Sequence, residues 1–300
     1  MKVTKLSQML EAIKSKPKKR VVVAYGQDPN TIAALTKAVE LGIIDATLVG
    51  DEEKIKELCQ TNKINPEIFE IVNEKDEMKS GIKAVDLINE GKGDFIMKGL
   101  ISTDKYMRAI LNKEKGLLPP KATLTHVTVV ESQYYHKLLL VGDVAIIPYP
   151  ELPQKAAIIN YLVKAAHSLG IETPKVAIIT ATEKANPKMP PCVDAAVLAK
   201  MNDRGQIKKC IIDGPLALDV AIDKKSAEIK GLKSEVAGDA DCLLFPNIEA
   251  GNVFYKSMTK LAGAEVAAVL VGAKVPAILS SRGDSENTKL YSIALAALTS

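Results

Sequence analysis

Short runs of aliphatic and β-branched residues alternate along the chain with stretches in which apolar residues recur every three or four positions. The first run is Arg20-Val21-Val22-Val23-Ala24-Tyr25-Gly26, apolar at consecutive rather than alternating positions. A strand buried on both faces, as in a parallel sheet, has this character. From Asn30 onward Thr31, Ile32, Leu35, Val39 and Leu41 fall near one face of a predicted helix. Strands are predicted over 44–50, 70–72 and 94–98, with helices over 52–61 and 78–89 between them. Strand, helix and strand at this rhythm mean βαβ units and a parallel sheet.

The pattern changes in the middle. Residues 123–131, 137–141 and 144–147 are β-rich with short connections, and predict a local antiparallel or mixed patch where two domains join. Pro148, Pro150 and Pro153 punctuate the exit. A helix over 154–169 and a strand over 176–180 follow, then a helix over 193–201 and strands over 211–213 and 242–245. A last βα unit runs from Ala264 through Leu270-Val271-Gly272 to 275–279, and a helix over 288–298 closes the chain. The fold class is therefore α/β, with two lobes and a cleft between them. Periodicity leaves open whether the final helix returns to the first lobe.

Composition narrows the function classes. At 47% hydrophobic and 25% charged, 300 residues carry enough apolar mass for a packed core. Aromatic residues make up 4% and Trp is absent, which argues against a stacking surface for single-stranded nucleic acid. The net charge of +4 is mild, and the basic cluster Lys14, Lys16, Lys18, Lys19 and Arg20 reads as a solvated helix end. Cys59, Cys192, Cys210 and Cys242 show no metal-binding spacing, and so few thiols fit a reducing compartment. The first twenty residues lack the apolar core of a secretion signal, and no apolar run reaches membrane-spanning length. These features predict a cytoplasmic protein with neither nucleic acid nor membrane as partner.

Ligands of open α/β sheets sit beyond the carboxyl ends of the strands, which directs attention to four loops. After Met97-Lys98-Gly99, Ser102 and Thr103 stand where a helix begins, either holding a phosphate on backbone amides or acting as an ordinary cap. The loop Thr180 to Lys188 carries hydroxyls and two lysines, Lys184 among them, and suits either an anion or plain solvent. In the stretch from Phe245 to Lys256, Gly251-Asn252 punctuates a predicted helix start that puts Tyr255 and Lys256 near the first turn. The last loop, Ser280-Ser281-Arg282-Gly283-Asp284-Ser285, joins two hydroxyls, a guanidinium and a glycine at a strand end. Arg matches phosphate with a planar fork of donors, and Ser281, Ser285 and amides near Gly283 can complete an oxyanion cage. A capped helix with a surface Arg is the bland alternative. Nothing in the sequence matches the glycine-rich phosphate loop of nucleotide hydrolases, the dinucleotide fingerprint or a serine-hydrolase elbow. His126, His136 and His167 are not at zinc spacing, and Cys192 and Cys242 read as structural.

Taken in order, several stretches resemble the phosphate acetyltransferase and phosphate butyryltransferase family. They are Met97-Lys98-Gly99, Val141-Gly142-Asp143 with Pro148, Pro150 and Gln154, Asp213-Gly214-Pro215-Leu216-Ala217-Leu218-Asp219, Phe245-Pro246-Asn247 with Ala250-Gly251-Asn252 and Tyr255-Lys256, and Ser281-Arg282-Gly283-Asp284-Ser285. The run from Asp284 to Tyr291 and the total length lean toward the butyryl branch. The resemblance implies two α/β/α domains similar to isocitrate and isopropylmalate dehydrogenases, one of residues 1–125 plus 276–300 and one of 126–275, with the active site in the cleft. It implies the reaction of acyl-CoA with phosphate to give acyl phosphate and coenzyme A, no metal or prosthetic group, and a homodimer or larger homo-oligomer. Ser281 and Arg282 match the family's phosphoryl and thioester site. Asn252, Tyr255 and Lys256 match the segment lining the acyl phosphate pocket, and Lys184 lies in a loop similar to the family's polar serine–threonine loop. The acetyltransferases place an Asp where this chain has Thr288, so the base that deprotonates CoA falls to Asp284 or Glu286, with Asp284 adjoining the Arg282-Gly283 pair.

Three alternatives remain. One is acetyl transfer. A metal-dependent dehydrogenase of similar fold needs an Asp cluster for Mg²⁺ or Mn²⁺, and Asp213, Asp219, Asp239 and Asp241 show no convincing pairing. A non-catalytic sensor of CoA or acyl phosphate fits poorly with an intact Ser281-Arg282 pair.

Overall fold

The structure is a computed structural model that describes residues 2–280 and 284–300. The chain divides into two compact units. The terminal unit comprises Ser7–Leu124 and Ala267–Ser300, and the central unit Met1–Leu6 with Thr125–Val266.

Helix α1 (Leu6–Lys14) leads into β1 (Lys19–Ala24), α2 (Pro29–Glu40), β2 (Ile44–Gly50), α3 (Glu52–Thr61), β3 (Glu70–Asn73), α4 (Glu77–Asn89), β4 (Phe95–Lys98) and α5 (Thr103–Ile110). Strands β1 to β4 pair in parallel in the order β3-β2-β1-β4. Val21, Val22 and Val23 of β1 are wholly buried, as a central strand covered on both faces requires. Every following helix is capped at the strands' carboxyl edge. Asp28, Asp51, Asp76 and Ser102 accept from the backbone amides of Thr31, Lys54, Lys79 and Lys105. These short polar side chains satisfy donors that the first helical turn leaves open.

The central unit contains β5 (Thr125–Glu131), β6 (Leu139–Gly142), α6 (Leu152–Ser168), β7 (Lys175–Ile179), α7 (Pro190–Asp203), β8 (Ile211–Leu216), α8 (Leu218–Ile222), α9 (Lys224–Ile229), β9 (Cys242–Leu244) and α10 (Ile248–Lys256). Its strand order is β5-β6-β9-β7-β8, with β5 and β6 antiparallel and the others parallel. The expected antiparallel patch is thus the β5–β6 pair. Residues 144–147, predicted as a strand, are not one. The Asp143 carboxylate takes the amides of Ala145 at 2.7 Å and Ile146 at 2.9 Å, and this local turn removes them from any ladder.

The chain returns to the terminal unit through β10 (Glu265–Val271), β11 (Ala277–Ile278) and α11 (Glu286–Thr299). The predicted βα unit over 264–279 is instead a pair of antiparallel strands, with Leu270 opposite Ala277. The five residues between them are too few for a parallel crossover. Strand β11 pairs in parallel with β4, placing Ser280 beside the end of β4. The final helix therefore belongs with the first lobe, the point that periodicity left open.

Candidate functional site

In the terminal unit the carboxyl ends of β1, β4 and β11 bring three loops together. Gly99 donates its amide to the Ala24 carbonyl at 2.9 Å, and Leu100 donates to that of Tyr25 at 2.7 Å. A Cβ at Gly99 would collide with the Tyr25 carbonyl, so only glycine permits this fold-back onto β1. Ser280 donates through its hydroxyl to the Lys98 carbonyl at 3.3 Å, tying β11 to β4 one residue before Ser281. Ser281, Arg282 and Gly283, the core of the sequence-predicted site, lie outside the described residues.

On the far side of that stretch, Ser285 caps α11. Its hydroxyl accepts the Thr288 amide at 3.1 Å and lies 3.1 Å from the Thr288 hydroxyl. Thr288 is thus engaged in the cap. Asp284 stands just before the cap rather than in the first helical turn, where Glu286 supplies the acidic residue. One turn further, Lys289 is 2% exposed and reaches Asp28 at 2.8 Å and the Thr31 hydroxyl at 3.0 Å. Burial alone raises the Asp28 carboxyl. The hydrogen bonds from Lys289 and Thr31, with the charge of Lys289, outweigh it and leave Asp28 below the usual aspartate range. A buried ion pair thus joins the start of α11 to the start of α2.

Ser102 and Thr103 stand at the start of α5, as predicted. The Ser102 hydroxyl caps the helix, and its amide donates to the Glu77 carboxylate at 2.6 Å. Lys105 holds the same carboxylate, and these two contacts keep Glu77 below its ordinary value. A carboxylate of the chain itself therefore sits at this helix start.

In the central unit the corresponding edge is organised by Asp143, which is 2% exposed. Besides Ala145 and Ile146, it accepts from the Thr125 hydroxyl at 2.6 Å and the His126 amide at 3.3 Å. Helix α10 packs directly on this turn. The Asn252 amide group donates to the Val144 carbonyl at 3.1 Å, and a Cβ on Gly251 would strike the Asp143 carbonyl. This corrects the predicted helix start. Helix α10 begins at its cap Asn247, which accepts the Ala250 amide at 3.0 Å, and Gly251 lies inside it. Glycine is there for close approach to Asp143, not to punctuate a turn. Tyr255 and Lys256 consequently close the helix instead of opening it, with the Lys256 ammonium 5.2 Å from the Tyr255 ring centre. Lys184 is exposed on the loop after β7, where the neighbouring Glu183 pairs with Lys230 at 2.7 Å.

The remaining charged cluster sits at the opposite, amino edge of the central strands. Asp239 and Asp241, which showed no convincing pairing in sequence, both contact Lys137 at 2.8 Å, and Asp239 also reaches Lys175 at 2.7 Å and His136 at 3.0 Å. Burial works against the Asp239 charge, but the two lysines dominate and hold its carboxyl far below the ordinary range. Ammonium groups fill the positions a cation would take, and this is the end of a parallel sheet that ligands avoid. A cavity of about 520 Å³ beside it, lined by Glu131, Tyr135, His136 and Lys137, includes none of the predicted site residues. Among the described residues no group of three or more His, Cys, Asp or Glu could hold a metal ion, and no helix is long and apolar enough to cross a membrane.

Parallel strands covered by helices, with polar loops at their carboxyl ends, define an α/β protein. The solved branched-chain phosphotransacylase of Enterococcus faecalis superposes with a TM-score of 0.81 at 29% identity, over 94% of this chain and 98% of that one. The phosphate acetyl/butaryl transferase family matches residues 5–82 and 78–297. A phosphate butyryltransferase of Clostridium acetobutylicum is 48% identical over 296 residues, covering 99% of this chain and 98% of its own. A phosphate acetyltransferase of Thermotoga maritima is 42% identical over 297 residues, covering 98% and 99%. The chain belongs to the phosphate acetyl/butyryl transferase family.

Proposed function

We propose that this protein is a phosphate acyltransferase that interconverts a short-chain acyl-CoA and phosphate with acyl phosphate and CoA, and that butyryl is its acyl group. The observation that carries the reading is the 48% identity to a phosphate butyryltransferase over 99% of the chain. In the direction of acyl phosphate synthesis, a phosphate oxygen attacks the thioester carbonyl carbon. A C–O bond forms, the C–S bond breaks, and CoA leaves as a thiolate that takes up the proton phosphate gives up. Both leaving groups are good, so positioning and charge stabilisation supply most of the acceleration.

Arg282 holds the phosphoryl group in its planar fork and offsets the negative charge that develops. Ser281 donates to the carbonyl or phosphoryl oxygen, and Asp284 exchanges the proton with the CoA sulfur. Thr288 has no carboxylate, and its engagement with Ser285 leaves Asp284 as the nearer acid to Arg282 in the chain. Asn252, Tyr255, Lys256 and Lys184 of the central unit and Ser102 and Thr103 of the terminal unit complete the assigned anion-binding set. The reading needs no metal, no prosthetic group and no acyl-enzyme, and includes a cytoplasmic homo-oligomer built on a dimer. Release of free thiol from butyryl-CoA tests it. Release that requires inorganic phosphate supports the reading, and release at the same rate without phosphate refutes it.

A further inference from the structure

The stretch Val141-Gly142-Asp143 has no part in the chemistry assigned above, yet its last residue builds the turn on which a site helix rests. All the residues concerned lie in the central unit. Asp143 follows β6 at the carboxyl edge of the strands and is 2% exposed. Four neutral donors hold its carboxylate. Oδ1 takes the amides of Ala145 and Ile146, and Oδ2 takes the Thr125 hydroxyl and the His126 amide. One oxygen shapes the turn and the other fastens it to β5.

Shaping the turn alone would need only the first oxygen. The second fixes where the turn stands against the sheet, and α10 is placed by what the turn presents. The Pro148 carbonyl accepts the Ile248 amide at 2.9 Å, and the Val144 carbonyl accepts Asn252 Nδ2 at 3.1 Å. The Asp143 carbonyl lies so close to Gly251 that a Cβ there would collide with it. These contacts set both the position and the rotation of the helix. Asn252 itself is exposed, where an amide side chain has several rotamers open to it, and donation to Val144 selects one. Asn252 is the side chain that the acyltransferase reading places in the acyl phosphate pocket.

We propose that Asp143 is a positioning residue of the reaction, which acts through the Val144 carbonyl to hold the Asn252 side chain where it meets the phosphoryl group of the acyl phosphate. This inference rests on the phosphate acyltransferase reading. A carboxylate is required because all four of its partners donate. An amide at position 143 would turn its own NH2 group toward one pair of donors, whichever way it faced, and lose both contacts. A displacement of about 1 Å in a positioning contact can cost on the order of a hundredfold in rate.

A double-mutant cycle tests the route through Asn252. Asp143→Asn, Asn252→Ala and the double variant are compared by kcat/KM for phosphate at saturating butyryl-CoA. Each single change should lower it roughly tenfold or more, as loss of a hydrogen bond to a charged group does. The double variant should fall no more than about twofold below the weaker single, because no side chain is left to position. The loss of stability in urea from Asp143→Asn should be the same in both backgrounds, so that it persists where the activity loss does not. If Asp143→Asn does not fold, Thr125→Val takes its place. It removes one contact to Oδ2 at constant shape, and should cost about threefold in activity, a loss that disappears in the Asn252→Ala background. Activity losses that multiply across the cycle, or full activity in any of the folded single variants, overturn the inference and leave the acyltransferase reading standing. An inactive wild type overturns that reading, and this inference with it.

Discussion

Replacing Lys289 with Met leaves the Asp28 carboxylate buried without its cation. Asp28 is 8% exposed, and its partners are Lys289 at 2.8 Å and the amide and hydroxyl of Thr31. Removing one member of a buried pair costs about 3–5 kcal/mol, because the remaining charge is stranded. For a unit of this size each kcal/mol moves the midpoint by about 2–4 °C, so Lys289→Met should melt roughly 6–20 °C lower. The sign with pH follows from the wild-type pair. Asp28 is held below its ordinary value, so its contribution is fully present above the unfolded aspartate pKa of about 3.9 and is lost as pH falls through the folded value. In Lys289→Met the Asp28 carboxyl rises, since burial, the largest effect, is then opposed only by the two hydrogen bonds from Thr31. The deficit is largest at neutral pH and shrinks as Asp28 protonates. The double variant Asp28→Asn/Lys289→Met removes the stranded charge, keeps a side chain able to cap α2, and should recover most of the loss. Urea unfolding at pH 7 and pH 4.5 measures all three proteins. A single variant within about 1 kcal/mol of wild type at pH 7, or a double variant no more stable than the single, refutes the reasoning.

Three further outcomes are expected. Gly251→Ala places a methyl group against the Asp143 carbonyl and should lower stability by about 1–3 kcal/mol in urea unfolding; no loss would show that α10 and the turn can separate at little cost. Arg282→Lys should lose on the order of a hundredfold in kcat despite conserving charge, and near-normal turnover in a folded variant would remove Arg282 from the phosphoryl site. Asp284→Asn should lose activity steeply near neutral pH and recover in part as pH rises past about 8.5, where a thiol ionises unaided; a loss constant across pH would show that Asp284 does not exchange the CoA proton.

What could be read in the chain depended on the range of the interactions. The buried run Val21-Val22-Val23 and the cap at Ser102 are local signals and appear in the structure where they were expected. The start of α10 was misplaced because Gly251-Asn252 has the composition of a turn, whereas that glycine is required by a turn more than a hundred residues earlier. Asn247, three residues before an amide it caps, was the local signal that could have located the helix start. The strand predicted over 144–147 failed for a related reason: the apolar run is real, but the Asp143 side chain competes for its amides. The Lys289–Asp28 pair joins residues 261 positions apart, and nothing in either local sequence announces it. Of the motifs that suggested phosphate and CoA chemistry, Met97-Lys98-Gly99 and Val141-Gly142-Asp143 stand where a strand gives way to a loop, whereas Tyr255-Lys256 ends a helix.

The most direct test of the central claim follows both halves of the exchange in one sample. Purified protein is incubated with butyryl-CoA and inorganic phosphate while thiol release is read by absorbance and phosphorus species by NMR. The account predicts that each mole of thiol appears with the loss of one mole of inorganic phosphate and the gain of one mole of acyl phosphate. It also predicts that adding CoA to the product mixture drives the exchange backward. Thiol released while inorganic phosphate stays constant would identify hydrolysis of the thioester instead, and would contradict the account.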